Sequence, residues 1–444
     1  MTPQQSRTAL NSIVGFSKLL ASGEVGSLSI EQKRHLDIIY KASYSLMGDL
    51  ESLKPKVIVF WSAEIGALNV VEDSFKGLMR TQSGKTACAL SADLLTPDSL
   101  QDLREQHHYI LATVPPMITE QNAYLFDEAA EIVIVSSSPE QETANQVSFL
   151  SKLSHMASKT SFYINNQPNS ANERSKLVRK LCDKKVGVAL SSGMAPGIAH
   201  VGVMKVLLQE KIPIDFLAGT SGGALYGALF AAGLDPLDIE KVIVNAFQKH
   251  MFASLSFSFN MMGLLSCRKL IRKILQEPLS KKDVSLAEMK IPFLIAATDL
   301  QSGQQKIFNT GSLMDAVSAS ISIPTMFSPF KKGGRFYADG VVTTPIPVLP
   351  LKERGADITI AVHVSEITRY DRPKPNMLDV FMRARSISSE ELARYQLKGA
   401  DIVIKPETNH IGYMAYNRAE ELIRLGEEAA WKAMPEIKAK LNMN

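Results

Sequence analysis

Phe216-Leu217-Ala218-Gly219-Thr220-Ser221-Gly222-Gly223 runs directly into the apolar stretch Ala224 to Ala232. Its first residues read as a short buried strand, and the run after the glycines reads as an apolar helix. The Gly-x-Ser-x-Gly spacing of Gly219, Ser221 and Gly223 between them is that of a nucleophile elbow. Such a turn is strained and its neighbours approach closely, so small residues flank a serine whose hydroxyl stands at the top of a sheet. Glycine and serine also mark ordinary turns, and the strand before and helix after are what strengthen the reading.

A second strand–loop–helix unit lies upstream. Lys185 to Leu190 has the pattern of a buried strand, Ser191-Ser192-Gly193-Met194-Ala195-Pro196-Gly197 is a tight loop, and Ile198 to Glu210 is helical. The backbone N–H groups of such a loop and helix start point at one spot, where a negative oxygen can be held. A serine hydroxyl is a poor nucleophile without a positioned base. The histidines after the elbow, His250, His363 and His410, sit in no small-residue loop, which disfavours a Ser-His-Asp triad. Asp339 is better placed, in Phe336-Tyr337-Ala338-Asp339-Gly340-Val341, where a strand-like approach ends in a glycine turn that can present one carboxylate. Taken alone, an Asp-Gly pair more often marks a plain turn.

From Val186 to about Lys352 the chain resembles the patatin-like phospholipase family, in which a glycine-rich loop, a G-x-S-x-G serine and an aspartate before glycine recur in this order. The likeness extends to Ala199-His200-Val201-Gly202-Val203, Ala297-Thr298-Asp299-Leu300, Ala319 to Pro324 and Pro345-Ile346-Pro347-Val348. The tail around Ala400 to Pro406 and the α/β segment upstream are similar to the bacterial branch related to neuropathy target esterase. The resemblance implies a patatin-like α/β hydrolase domain over 183–444, with core motifs in 187–352. It implies Ser221 as nucleophile, Asp339 as the base of a catalytic dyad, and Ser192, Gly193 and Met194 lining an oxyanion hole. His200, Asp299 and Ser320 take structural parts. The implied activity is phospholipase A or lysophospholipase-type ester hydrolysis through an acyl-enzyme, with no cofactor and no metal. The implied setting is cytoplasmic, peripheral at the inner membrane face.

Three departures from the family pattern fall in or beside this site. Ser191, Ser192 and Met194 stand where consecutive glycines are usual, Pro196 where arginine or lysine is usual, and Val341 where glycine or alanine is usual. Proline removes a backbone donor and fixes φ, and methionine suits no φ > 0 that the loop requires. The alternative reading is therefore a catalytically weak or inactive patatin-like protein that binds lipid and regulates.

At 444 residues the chain exceeds one ordinary core. Residues 1–54 read as a helical hairpin. Ser29 and Gln32 stand at capping-box spacing, and Leu36, Ile39, Ser43, Leu46, Leu50 and Leu53 form a seam that pairing with a second copy would bury, giving a homodimer. Arg7 to Phe16 resembles the dimerisation hairpin of sensor histidine kinases, with Gln4 at the phosphoacceptor histidine position, so phosphotransfer is not expected. Residues 55–168 alternate short β-rich runs with polar helical stretches, the pattern of a small Rossmann-like parallel α/β domain. Within it Ser83-Gly84-Lys85-Thr86 looks like the end of a phosphate-binding loop. Met79 replaces that motif's first glycine and a strand follows instead of preceding, so a surface turn is expected. The polar stretch Asn165 to Glu173, with Pro168, reads as a linker.

Lys+Arg 49 against Asp+Glu 45 leaves a net charge of +4, which implies no nucleic-acid partner. The 3 cysteines, Cys88, Cys182 and Cys267, have neither pairing nor metal-ligand spacing and suit a reducing compartment. Gln4, Gln5 and Ser6 do not open a secretory signal, and the longest apolar run, Gly223 to Leu234, is short of the ~20 residues that span a bilayer. Membrane contact is then peripheral. Phe252, Leu255, Phe257, Phe259, Met261, Met262, Leu264 and Leu265, bordered by Lys249, Arg268, Lys269, Arg272 and Lys273, form either a lid or membrane patch or a core or subunit contact.

Overall fold

The computed structural model describes residues 56–61, 75–83, 85–114, 124–126, 128–136, 160–164, 170–254, 271, 274–275, 277–279, 284–365 and 377–443. The hairpin expected over 1–54, with its dimer seam, and the apolar patch within 255–265 lie outside the described residues. The chain divides into two compact units, Met1–Leu181 and Cys182–Asn444.

The first unit runs β1 (Lys56–Trp61), α1 (Lys76–Ser83), β2 (Ala87–Ser91), α2 (Pro97–Gln106), β3 (Tyr109–Val114), β4 (Glu131–Ser136), β5 (Thr160–Ile164) and α3 (Ser170–Leu181). Its strands pair in the order β2-β3-β1-β4-β5, every pairing parallel. Val57 to Phe60 are buried together, as a parallel strand covered on both faces requires. The order differs from the 3-2-1-4-5 run of a dinucleotide-binding sheet, because β3 lies between β2 and β1. Ser83 Oγ donates to Met79 O and accepts from Lys85 N, closing α1 ahead of the edge strand β2, so Lys85 and Thr86 sit in an exposed connection. The stretch read as a linker needs correction. Residues 170–173 belong to α3, whose Leu177, Val178 and Leu181 are buried. Polar composition and Pro168 signalled a linker, but the apolar face further along pulls the helix onto its own unit.

The second unit contains β6 (Val186–Leu190), α4 (Ala199–Gln209), β7 (Phe216–Thr220), α5 (Gly222–Ala231), α6 (Pro236–Ser254), β8 (Phe293–Asp299) and β9 (Gln305–Phe308). It continues with α7 (Leu313–Ser320), β10 (Phe330–Lys332), β11 (Arg335–Asp339), α8 (Val348–Glu353), β12 (Ile358–Val362), α9 (Met377–Leu397), β13 (Ile402–Ile404) and α10 (Ala419–Leu441). Strands β8, β7, β6, β12 and β13 run parallel, while β9 and β11 pair antiparallel with β8. Strands β6 and β8 are buried along their whole length, as strands of a parallel sheet covered on both faces are.

Two features of this packing position the site. Helices α4 and α10 meet at paired glycines, since a Cβ on Gly202 would stand 1.9 Å from Ile423 O and one on Gly426 2.0 Å from Ala199 O. Backbone contact at this crossing fixes α4, the helix that follows the loop 191–197. The register of β8 does the rest. Strand β9 pairs along Ile295 to Thr298, overlapping both other partners, so β7 and β11 share the opposite edge in succession. Thr220 is paired with Ala296 and Asp339 with Ala297, so the residue after β7 and the last residue of β11 meet.

Candidate active site

Ser221 occupies the turn between β7 and α5 with φ 54 and ψ −117, a left-handed conformation that costs a non-glycine residue energy and persists only when its surroundings hold it. The holding is by backbone contact. A Cβ on Gly222 would lie 2.2 Å from Gly193 O, one on Gly223 2.4 Å from Leu190 O, and one on Gly219 2.5 Å from Gly223 O. The small residues read from the sequence are thus the only ones that let the loop 191–197 press against the elbow. Ser221 N donates to Ser320 Oγ at 2.8 Å, and Ser320 Oγ donates to Ala296 O at 2.6 Å, so the end of α7 pins the turn to β8.

Ser221 Oγ donates to Asp339 Oδ2 at 2.6 Å. The other carboxylate oxygen, Oδ1, accepts Val341 N at 2.8 Å, which orients the group. Its backbone is fixed as well, with Thr298 Oγ1 donating to Asp339 O and Asp339 N donating to Ser322 O, both at 2.9 Å. Asp339 is fully buried and Ser221 is 6% exposed. The pair is short and largely shielded from water, conditions that strengthen an anion–hydroxyl hydrogen bond.

The loop departs from expectation at three positions. Ser192 N donates to Pro345 O at 2.8 Å, so this N–H is already engaged and cannot face an oxyanion. Gly193 and Met194 N–H donate to nothing among the described residues. Met194 has φ −68, so no left-handed geometry excludes methionine there, and Pro196 lies in the first turn of a 3₁₀ segment, where a missing N–H breaks no bond. The reasons for expecting a damaged loop therefore do not hold in the fold. Gly193 matters for its closeness to Gly197, whose backbone would stand 3.0 Å from an added Cβ.

Behind the loop, fully buried His200 places Nε2 2.9 Å from Ser191 O. A carbonyl only accepts, so Nε2 carries the proton. Burial drives its pKa down to about 4, against a partial lift from the Ser191 carbonyl. This is the packed role expected of His200, and it has a pH signature. Between pH 6.5 and about 4 the unfolded chain binds a proton that the folded chain refuses. Stability is therefore full above pH 6.5 and falls by about 3 kcal/mol as pH drops through that window. We expect His200→Gln, which keeps an N–H for Ser191 O, to flatten the acid limb of urea midpoint against pH. Equal slopes in the two proteins would refute this. Alongside, His363 Nε2 lies 3.0 Å from Glu390 Oε1 and Ser365 Oγ donates to Oε2. Burial alone would raise the Glu390 carboxyl, but these partners hold it below the ordinary range. Asp299 ion-pairs with Arg335 and accepts Gln301 N at 2.9 Å, a structural role as expected.

Among the described residues no helix is long and apolar enough to cross a membrane. Residues 188–352 match the patatin-like phospholipase family model. An uncharacterized NTE family protein of Mycobacterium tuberculosis is 34% identical over 189 residues, covering 42% of this chain and 51% of that protein. The lysophospholipase NTE1 of Pyricularia oryzae is 24% identical over 280 residues, covering 56% of this chain and 18% of that protein. The chain spans about half the length of the first of these relatives and less of the second. The crystal structure of VipD from Legionella pneumophila aligns with a TM-score of 0.35 and 12% identity, over 57% of this chain and 67% of that one. The segment 188–352, which carries Ser221 and Asp339, belongs to the patatin-like phospholipase family, on the side related to the NTE proteins.

Proposed function

We propose that this chain hydrolyses carboxylic esters of acyl lipids, with Ser221 as nucleophile and Asp339 as general base. The observation that carries the reading is the 2.6 Å bond from Ser221 Oγ to Asp339 Oδ2 on a strained, tightly packed turn. Attack of Oγ on the acyl carbonyl carbon passes the hydroxyl proton to Asp339 and places negative charge on the carbonyl oxygen. The N–H groups of Gly193 and Met194 are the donors for that oxygen, and Ser192 has no part in the hole. Collapse breaks the ester C–O bond, the departing alcohol takes the proton from Asp339, and an acyl-Ser221 ester remains. Water then attacks this ester, with Asp339 accepting its proton, and the fatty acid leaves as Ser221 regains its hydrogen.

The substrate class follows from the relatives named as lysophospholipases, and a lysophospholipid is the first candidate. Incubating the chain with lysophosphatidylcholine should release free fatty acid catalytically, and Ser221→Ala should release none. A folded protein that turns over soluble p-nitrophenyl esters but no lysophospholipid or diacyl phospholipid would contradict the lipid assignment while leaving the esterase chemistry standing.

A further inference from the structure

The three parts of the site converge on one short strap, Thr343 to Ile346, which follows the Asp339 turn. Thr344 N donates to Gly340 O at 2.7 Å, joining the strap to the base. Thr220 Oγ1, on the residue before the nucleophile, donates to Thr344 O at 2.7 Å. Ser192 N, in the loop, donates to Pro345 O at 2.8 Å. The strap lies in no strand, so its outward groups need a partner from elsewhere. Gln396, near the end of α9, supplies it. Its Nε2 donates to Thr343 O and its Oε1 accepts Ile346 N, each at 3.1 Å. The two bonds together fix the amide orientation, because only Nε2 can serve the carbonyl and only Oε1 the N–H.

We propose that Gln396 is a positioning residue for the hydrolytic site, clamping the strap that sets Ser221, Asp339 and the oxyanion donors relative to one another. This rests on the Ser221–Asp339 reading above. An uncharged side chain that both donates and accepts across three residues is what the strap needs. Removing it leaves the buried Ile346 N–H without a partner and frees the strap to shift. Acyl transfer needs its groups held within about half an ångström, and a misplacement of about 1 Å can cost on the order of a hundredfold in rate. The loss belongs in kcat, since the clamp touches no substrate.

The test uses Gln396→Leu and Gln396→Glu in the full chain, with steady-state kinetics on one soluble ester and hydrogen exchange of peptides covering 339–346 and 190–194. In Gln396→Leu we expect kcat to fall roughly ten- to a hundredfold with KM little changed. Exchange should be faster in both peptides. Gln396→Glu lacks the donor to Thr343 O at neutral pH and regains one when protonated, so its kcat relative to the parent should rise as pH falls from 7 to 5. A folded Gln396→Leu with unchanged kcat and unchanged exchange would overturn the proposal. So would a Gln396→Glu ratio that stays low and flat with pH. A parent protein inactive on every ester would sink the hydrolase reading alone, and hydrogen exchange would still decide whether Gln396 clamps the strap.

Discussion

Ser221→Ala should lower kcat for a short-chain p-nitrophenyl ester by about four orders of magnitude or more, the scale on which removal of a serine nucleophile acts in other hydrolases. The fold should survive. The backbone N–H of residue 221 would still donate to Ser320 Oγ, and the glycines around the turn would be untouched. The buried Asp339 carboxylate would lose one donor but keep Val341 N, a change of about 1–3 kcal/mol. Circular dichroism beside the assay separates loss of chemistry from loss of structure. Near-parental turnover in a folded variant would exclude Ser221 as nucleophile.

Asp339→Asn is the second large effect, with kcat expected to drop by about 10⁴, as when a catalytic carboxylate is replaced by its isosteric amide. The amide oxygen can still accept Val341 N, and the backbone bonds to Thr298 and Ser322 do not depend on the side chain. The amide nitrogen, however, would stand where Oδ2 accepts the Ser221 proton and can take none. KM should change little, because the lost interaction is with a proton in flight. A variant keeping kcat within about tenfold of the parent would place the base elsewhere.

The elbow was legible in the sequence because its cause is local. Gly219, Gly222 and Gly223 are small where backbone presses on backbone, and a strand and helix flank them. Asp339 could be nominated from its glycine turn, but its meeting with Ser221 depends on β7 and β11 sharing one edge of β8, a non-local register that no spacing encodes. The donors of the loop are set by non-local contacts in the same way. Whether Ser192 N–H is available depends on Pro345, far along the chain, and the backbone angle of Met194, φ −68, follows from the loop's packing and not from its residue type. The structural part that the sequence suggests for Ser320 takes its specific form, a hold on Ser221 N, only once α7 is packed beside the elbow. Gln396 gave no signal at all, since glutamine on a polar helix is common and its value here is a fit to one strap.

If Asp339 activates Ser221, covalent labelling of the serine depends on both residues. The full chain, Ser221→Ala and Asp339→Asn would each be treated with a fluorophosphonate and followed by intact mass and peptide mapping. We expect one adduct per chain, on the Ser221 peptide, absent in Ser221→Ala and formed far more slowly in Asp339→Asn. An adduct on a different serine, or labelling of Ser221 at the parental rate in Asp339→Asn, would contradict it.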